Sequence, residues 1–444
     1  MMKHTSGRAS RTSDRWFIAL VLLLTCASAQ AGGGYYLLGY GPLAHQAGGT
    51  STAMGLDGFM GSSNPGKLAF VGNRLDLDFL AFSPSRRIER TDSGTPYDFS
   101  STSKNSFYLL PEAGYARKLD ERFSVGFTLY GNGGLNTEYH DDTGIPDTNA
   151  NPARCGNAPG NFLFGCGKLG FDLAQVIIAP SVSWQYRPGQ SLGISPLLAY
   201  QRIKVYGFQA FEATSAHPDA VTNRGYDNSF GAGVRIGWFA RLLPWLDVGA
   251  AYSTKLYMEA FDKYRGLLAD EGNFDIPPNL SVGVAVRPAK DWELGFDLQR
   301  IFWGDIPALR NGVLNSLEDP GKPLGSKDGS GFNWRDRNVY RAGLSYAVSP
   351  KLTLRAGAAY GKRPSADTGA NSVTLGLFAP NPLWQLTAGG TWSFDARNQI
   401  HLAVGHYLEK DFKGPSASTA LGVGGEETGT PHVETLMLGW SRTW

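Results

Sequence analysis

At 444 residues the chain is long enough for two or three ordinary soluble domains, or for one large single-sheet barrel. Lys plus Arg number 41 and Asp plus Glu 39, a net charge of +2, so no basic excess exists to hold nucleic acid. Charged residues make up only 18% while aromatics reach 12% and glycine fills 57 positions, a balance foreign to soluble enzymes, in which about a quarter of residues are charged.

Lys3, Arg8, Arg11 and Arg15 precede an apolar run at 16–26, and Ala27-Ser28-Ala29 follows with small residues at cleavage spacing. The run is too short to span a bilayer, and its flanks predict a secretory signal peptide over 1–29. Cleavage there removes four basic residues and Asp14, which moves the net charge from +2 to −1. Export excludes cytoplasmic work. Residues 30–73 are Gly/Ala/Ser-rich with a few apolar positions.

From residue 74 onward, period-two alternation dominates. Leu75, Leu77 and Phe79 alternate with Asp76 and Asp78; Phe230, Val234, Ile236 and Trp238 alternate with Gly231, Gly233, Arg235 and Gly237. One face is aliphatic and aromatic, the other small and polar, as in a wall with lipid outside and water inside. Fourteen such segments are predicted, near 74–82, 106–118, 123–139, 172–186, 191–206, 228–240, 244–256, 278–288, 291–302, 336–348, 351–362, 384–395, 398–410 and 432–444. Six tight connections alternate strictly with seven long, Gly/Pro-rich ones, the parity of a bacterial outer-membrane barrel with short periplasmic turns. The expectation is an all-β, 14-stranded antiparallel transmembrane barrel over 74–444. A barrel that wide has a bore its own side chains do not fill, so 30–73 is predicted to plug it, with a periplasmic tail as the alternative.

Cys155 and Cys166 lie in a long Gly/Asn/Pro-rich connection. In an oxidising compartment a loop-closing disulfide is favoured over a metal pair or free thiols, and no histidine nearby offers a zinc site. No metal or cofactor is expected. Gly165-Cys166-Gly167-Lys168-Leu169-Gly170 matches G-x-G-x-x-G but opens no βαβ unit. His401 and His406 share a strand at odd spacing and so lie on opposite faces. That leaves outward His406 for an alternative reading as an outer-membrane lipid hydrolase; an open diffusion porin is the other alternative.

For cargo, two chemistries stay open. A fatty acid wants a cation in the bore, and Arg235, Arg341 and Arg355 face inward by alternation, each expected to pair first with Asp76, Asp78, Glu112, Glu293 or Asp297. A hydrocarbon wants only apolar capture residues, and Phe162, Leu163, Phe164, Leu375, Leu377 and Phe378 are exposed-loop candidates, the last three alternatively packing into the barrel mouth. Asn132-Gly133-Gly134 inside the third strand is where pairing is most easily interrupted, unless it is only a strand end beside a loop. The last strand ends on an aromatic, Trp444, with Leu436, Leu438 and Trp440 on its face, a pattern similar to the signal read by outer-membrane assembly machinery.

Gly48-Gly49-Thr50-Ser51-Thr52-Ala53, Asp57 and Asn64-Pro65-Gly66-Lys67-Leu68-Ala69, then Phe123-Ser124-Val125-Gly126 and Gly133-Gly134-Leu135-Asn136-Thr137-Glu138-Tyr139, stand in an order that resembles the FadL/TodX family. Tyr252-Ser253-Thr254-Lys255, Pro277-Pro278-Asn279-Leu280, Phe302-Trp303-Gly304-Asp305 and 352–360 continue the resemblance over the mature chain. Gly66 departs from the usual Asn-Pro-Ala. The resemblance implies a monomeric outer-membrane barrel with an N-terminal hatch. It would take up long-chain fatty acids or hydrocarbons through external loops and release them laterally at the kinked third strand, among lipid and lipopolysaccharide.

Overall fold

The computed structural model describes residues 34–140, 155–362, 384–408, 411–416, 418–419 and 422–444. The segment 1–29 and Leu375, Leu377 and Phe378 lie outside the described residues.

Fourteen long strands form one antiparallel cylinder. In chain order they are β1 (Arg74–Thr91), β2 (Tyr108–Lys118), β3 (Phe123–Asn136), β4 (Gly170–Arg187), β5 (Gln190–Tyr206), β6 (Asp227–Leu243) and β7 (Leu246–Ser253). The rest are β8 (Asn279–Ala289), β9 (Trp292–Ile301), β10 (Arg337–Ser349), β11 (Leu352–Gly361), β12 (Trp384–Ser393), β13 (Asn398–Leu408) and β14 (Glu426–Thr443). Each pairs with its chain neighbour, and β1 closes on β14 from Arg74↔Thr443 to Thr91↔Glu426. Closure joins the first strand to the last, as crossing hydrocarbon without unpaired terminal edges requires.

β1 runs on past the predicted 82 to Thr91, and β14 starts at Glu426 rather than 432. The reason is chemical: outward residues there are Ser83, Ser85 and Arg87 on β1 and Thr430 and His432 on β14. The apolar alternation stops where hydrocarbon stops, while the ladder continues into the polar zone. Three short segments, Phe99–Thr102, Tyr257–Met258 and Phe412–Pro415, pair onto β1, β6 and β14 at their loop ends.

The outer face carries Leu77, Phe79, Phe296, Leu402 and Leu438, all exposed. Trp184, Trp245, Trp292, Trp392 and Trp444 gather near the tight turns, and Tyr257, Tyr340, Trp384 and Phe230 near the loop ends, as aromatic girdles do at membrane interfaces.

Residues 34–73 pack against inward positions around the circumference. Gln46 Nε2 donates to Gly390 O (2.7 Å) on β12 and Leu402 O (3.2 Å) on β13. Asp297 of β9 accepts from Ser51 N and Thr52 N (2.8 and 2.9 Å), and Asp76 of β1 from Gly58 N (2.7 Å). Asn64 caps a 3-10 turn (Pro65–Phe70), accepting from Gly66 N while its Nδ2 reaches Thr52 O and Trp238 O, both at 2.9 Å. Wall glycines make room for this segment. A Cβ on Gly193 would stand 2.2 Å from Pro65 C, and one on Gly357 2.2 Å from Ala47 C.

Candidate functional site: a loop cavity and a broken strand pair

At the loop end of the cylinder, three long connections fold inward. They carry short helical turns at Gln209–Thr214, Ala269–Gly272, Pro307–Arg310 and Asn315–Glu318. Between them lies a cavity of about 110 Å³. Among the described residues its lining includes Leu163, Phe171, Phe208, Phe211, Leu267, Leu268, Ala308, Leu314, Leu317 and Phe332, with four hydroxyl residues and no charged side chain. Such a space holds an apolar body and offers nothing to neutralise a carboxylate.

An aromatic chain leads from this cavity into the bore. Phe171 and Phe332 lie 6.2 Å apart, Phe332 is 5.9 Å from Trp334, and Trp334 and Trp303 meet edge-on at 4.9 Å. Trp303 in turn meets Tyr35 at 4.9 Å and Tyr36 at 5.1 Å. The Trp303 Nε1 is buried without a hydrogen-bond partner among the described residues. Tyr36 is fixed by a bond from its hydroxyl to Pro277 O (3.0 Å).

Tyr35 and Tyr36 end at the interrupted strand. β3 slips register against β4 between Gly131 and Gly133, and Gly133 takes φ +151°. Against this bulge the N-terminal segment makes an isolated antiparallel bridge. Tyr36 bridges Gly133, Gly134 N donates to Tyr35 O (3.2 Å), and Leu37 N donates to Asn132 O (3.4 Å). Tyr40 Oη donates to the same carbonyl at 2.9 Å, and Asn132 Nδ2 to Gln175 Oε1 at 2.8 Å. Asn132, Gly133 and Gly134 are thus inside a strand, not at a loop-side fray.

On its other side β3 is paired only in part. Its ladder with β2 covers Ser124–Leu129 against Ala113–Lys118, and among the described residues Tyr130–Asn136 have no β2 partner. Pro111, which has no N–H to donate, falls in the unpaired half of β2. Leu110 leans across the gap, its Cδ2 3.5 Å from where a Cβ on Gly131 would lie. Just beyond β3, burial favours a neutral Glu138, but hydrogen bonds from Lys168 (2.8 Å) and His140 (2.7 Å) outweigh it and hold the carboxyl below its ordinary range.

The three inward arginines do not pair with the expected carboxylates among the described residues, a correction with a plain cause. Segment 34–73 and other partners already occupy four of those five carboxylates: Asp297 holds Ser51 N and Thr52 N, Glu112 accepts from Gly41 N (3.0 Å) and faces His45 (3.1 Å), while Asp76 pairs with Arg74 (2.8 Å) and Glu293 with Arg287 (3.1 Å). Arg235 instead donates to Gly61 O (2.8 Å), Arg341 to Gln299 Oε1 (2.7 Å), and Arg355 to Gln46 Oε1 and Thr391 Oγ1 (both 2.8 Å). Arg235 and Arg341 share a small polar cavity of about 50 Å³ with Asn132, whereas Arg355 lies apart, in a polar cavity with Arg74 and Arg287.

The loop apolars Phe162, Leu163 and Phe164 are not exposed, which corrects their expected placement. Phe162 stacks on Phe99 at 4.3 Å and Phe164 meets Tyr97 at 5.4 Å, so their rings are spent on loop packing; Leu163 alone reaches the cavity. Cys155 and Cys166 are joined, with Cα atoms 5.5 Å apart. Sequence reasoning missed Phe208, Phe211, Phe332 and Trp334. The signal available was adjacency: Phe208 and Phe211, and Leu267 and Leu268, are apolar groups in connections that have no core of their own.

Residues 168–443 match the family model described as outer membrane protein transport protein (OMPP1/FadL/TodX). The chain belongs to this family. Solved structures of the FadL/TodX fold align over nearly its whole length. The P. putida toluene transporter TodX is 18% identical, covers 92% of this chain and 99% of its own, and superposes with a TM-score of 0.65. A Pseudomonas aeruginosa FadL homologue (15%, 92% and 99%, 0.65) and the Ralstonia pickettii toluene transporter TbuX (17%, 92% and 99%, 0.60) behave alike. At these identities the likeness speaks to fold. No curated protein sequence matches the chain. As a FadL/TodX member, the protein is an outer-membrane transport protein for hydrophobic compounds.

Proposed function

We propose that this FadL/TodX member takes up small neutral hydrocarbons of the aromatic type, captured in the loop cavity and released sideways through the β2–β3 interruption. The observation that carries the reading is the cavity wall, apolar apart from four hydroxyl residues and, among the described residues, free of charged side chains. A greasy solute gains about 0.8 kcal/mol per CH₂ taken from water, so such a cavity captures it without directional contacts. Release into the bilayer needs no further driving force, because hydrocarbon is already the solute's preferred solvent. Two of the similar structures are toluene transporters, which agrees with this choice.

In the same reading residues 30–73 are the hatch, the protein works as a monomer among lipid and lipopolysaccharide, and Trp444 presents the assembly signal. A bore lined by segment 34–73 argues against an open porin. The lipid-hydrolase alternative needs a serine on His406, whose Nδ1 instead faces Glu434 Oε1 at 2.7 Å; the protein is read as having no enzymatic activity.

A fatty-acid reading is favoured by one observation, the cavity shared by Arg235 and Arg341, where Arg341 Nε is buried without a partner among the described residues. Titrating purified protein with toluene and with dodecanoate, in wild type and Arg341→Gln, separates the two. The expected result is saturable toluene binding that the substitution leaves unchanged, with dodecanoate weaker by about tenfold, or 1.4 kcal/mol. Tighter dodecanoate binding that collapses in Arg341→Gln would overturn the hydrocarbon choice.

A further inference from the structure

His406 on β13 and Glu434 on β14 are direct cross-strand partners, and His432 lies two residues before Glu434 on the same outward face. Alternation therefore aims all three side chains at one spot. Glu434 Oε1 is 2.7 Å from His406 Nδ1 and 3.2 Å from His432 Nε2, and the imidazole rings are 5.5 Å apart. The ligand atoms all lie within 4.8 Å of one another, the one such group of three His, Cys, Asp or Glu residues among the described residues. Nothing in the transport path uses it, since the group faces away from the bore.

The geometry points to a binding site for a divalent d-block cation, of which zinc is the type, on the outer wall at the loop end of the barrel. Two imidazoles and a carboxylate form a zinc ligand set that leaves a fourth position open. Imidazole nitrogen suits zinc, copper or nickel, whereas magnesium and calcium want oxygen only. Tetrahedral zinc with bonds of about 2.1 Å needs donors about 3.4 Å apart. The Glu434 spacings of 2.7 and 3.2 Å fall short of this by about 0.7 and 0.2 Å, which half-exposed side chains supply by rotating. The strands hold the three backbones, so the site is preorganised where it matters. Its level is also specific. Val404 and Leu436 lie next to it on the apolar side, and Ser83 and Ser85 of β1 are the register partners of Glu434 and His432. The cation would therefore sit at the first polar level above the hydrocarbon band, where lipid headgroups begin.

The test is calorimetric titration of the full-length, untagged barrel in detergent with zinc chloride. One zinc per chain is expected, with binding weakened about tenfold or more in His406→Ala, in His432→Ala and in Glu434→Gln. His217→Ala, on a distant loop, should bind as wild type does, and millimolar magnesium should not compete. All three ligand positions face outward, so the heat-dependent shift in gel mobility that marks a closed barrel should persist in every variant. Absence of saturable zinc binding, or wild-type binding retained in the His406→Ala/His432→Ala double variant, would overturn the site.

Discussion

Gly133→Val is expected to cut hydrocarbon uptake by about tenfold or more while the barrel still assembles. A Cβ on Gly133 would lie 1.6 Å from Tyr35 O, and its φ of +151° is one that a branched residue rarely adopts. The side chain must therefore expel residues 35–37 from the bulge, or straighten β3 and close the gap beside Tyr130. Either outcome removes the junction between the aromatic chain and the wall opening. Uptake of labelled toluene by cells, normalised to folded barrel on gels, reads the effect. Unchanged uptake would detach the kink from transport.

Ala308→Phe should weaken toluene binding by about tenfold, equivalent to 1.4 kcal/mol. Ala308 is 1% exposed and borders the 110 Å³ cavity, so a phenyl ring there occupies the space a ligand would take. Overpacking costs about 1–3 kcal/mol, borne by the loop cap and not by the strand ladder. Calorimetric titration with toluene measures the change. Affinity equal to wild type would move the capture site elsewhere.

The cylinder was legible because lipid imposes a rule on every strand. Leu77 and Phe79 must face out where Asp76 and Asp78 face in, and the sign of that alternation survives any detail of packing. Strand ends were less legible, since Ser83 to Thr91 obey the backbone ladder but carry no apolar signal. The kink at Asn132-Gly133-Gly134 was readable from glycine alone. Its partner was not, because the pairing of Tyr36 with Gly133 joins residues that no local pattern connects. The cavity was hidden for the same reason, as Phe171 comes from β4, Phe208 from one connection and Ala308 and Phe332 from another, and they meet only once the barrel has brought those together. The arginines show the limit from the other side. Their inward direction follows from alternation, whereas their partners depend on where segment 34–73 lies, and that segment binds Glu112, Asp297 and Asp76.

The claim on which the account turns is that cargo leaves through the wall between β2 and β3. A barrel carrying Leu110→Cys and Gly131→Cys, joined across the gap by a short thiol crosslinker, tests it directly in reconstituted uptake of toluene, with each single-cysteine variant treated in parallel. The account predicts uptake abolished in the crosslinked pair and retained in both single variants. Crosslinked barrels that carry toluene at the wild-type rate would contradict it.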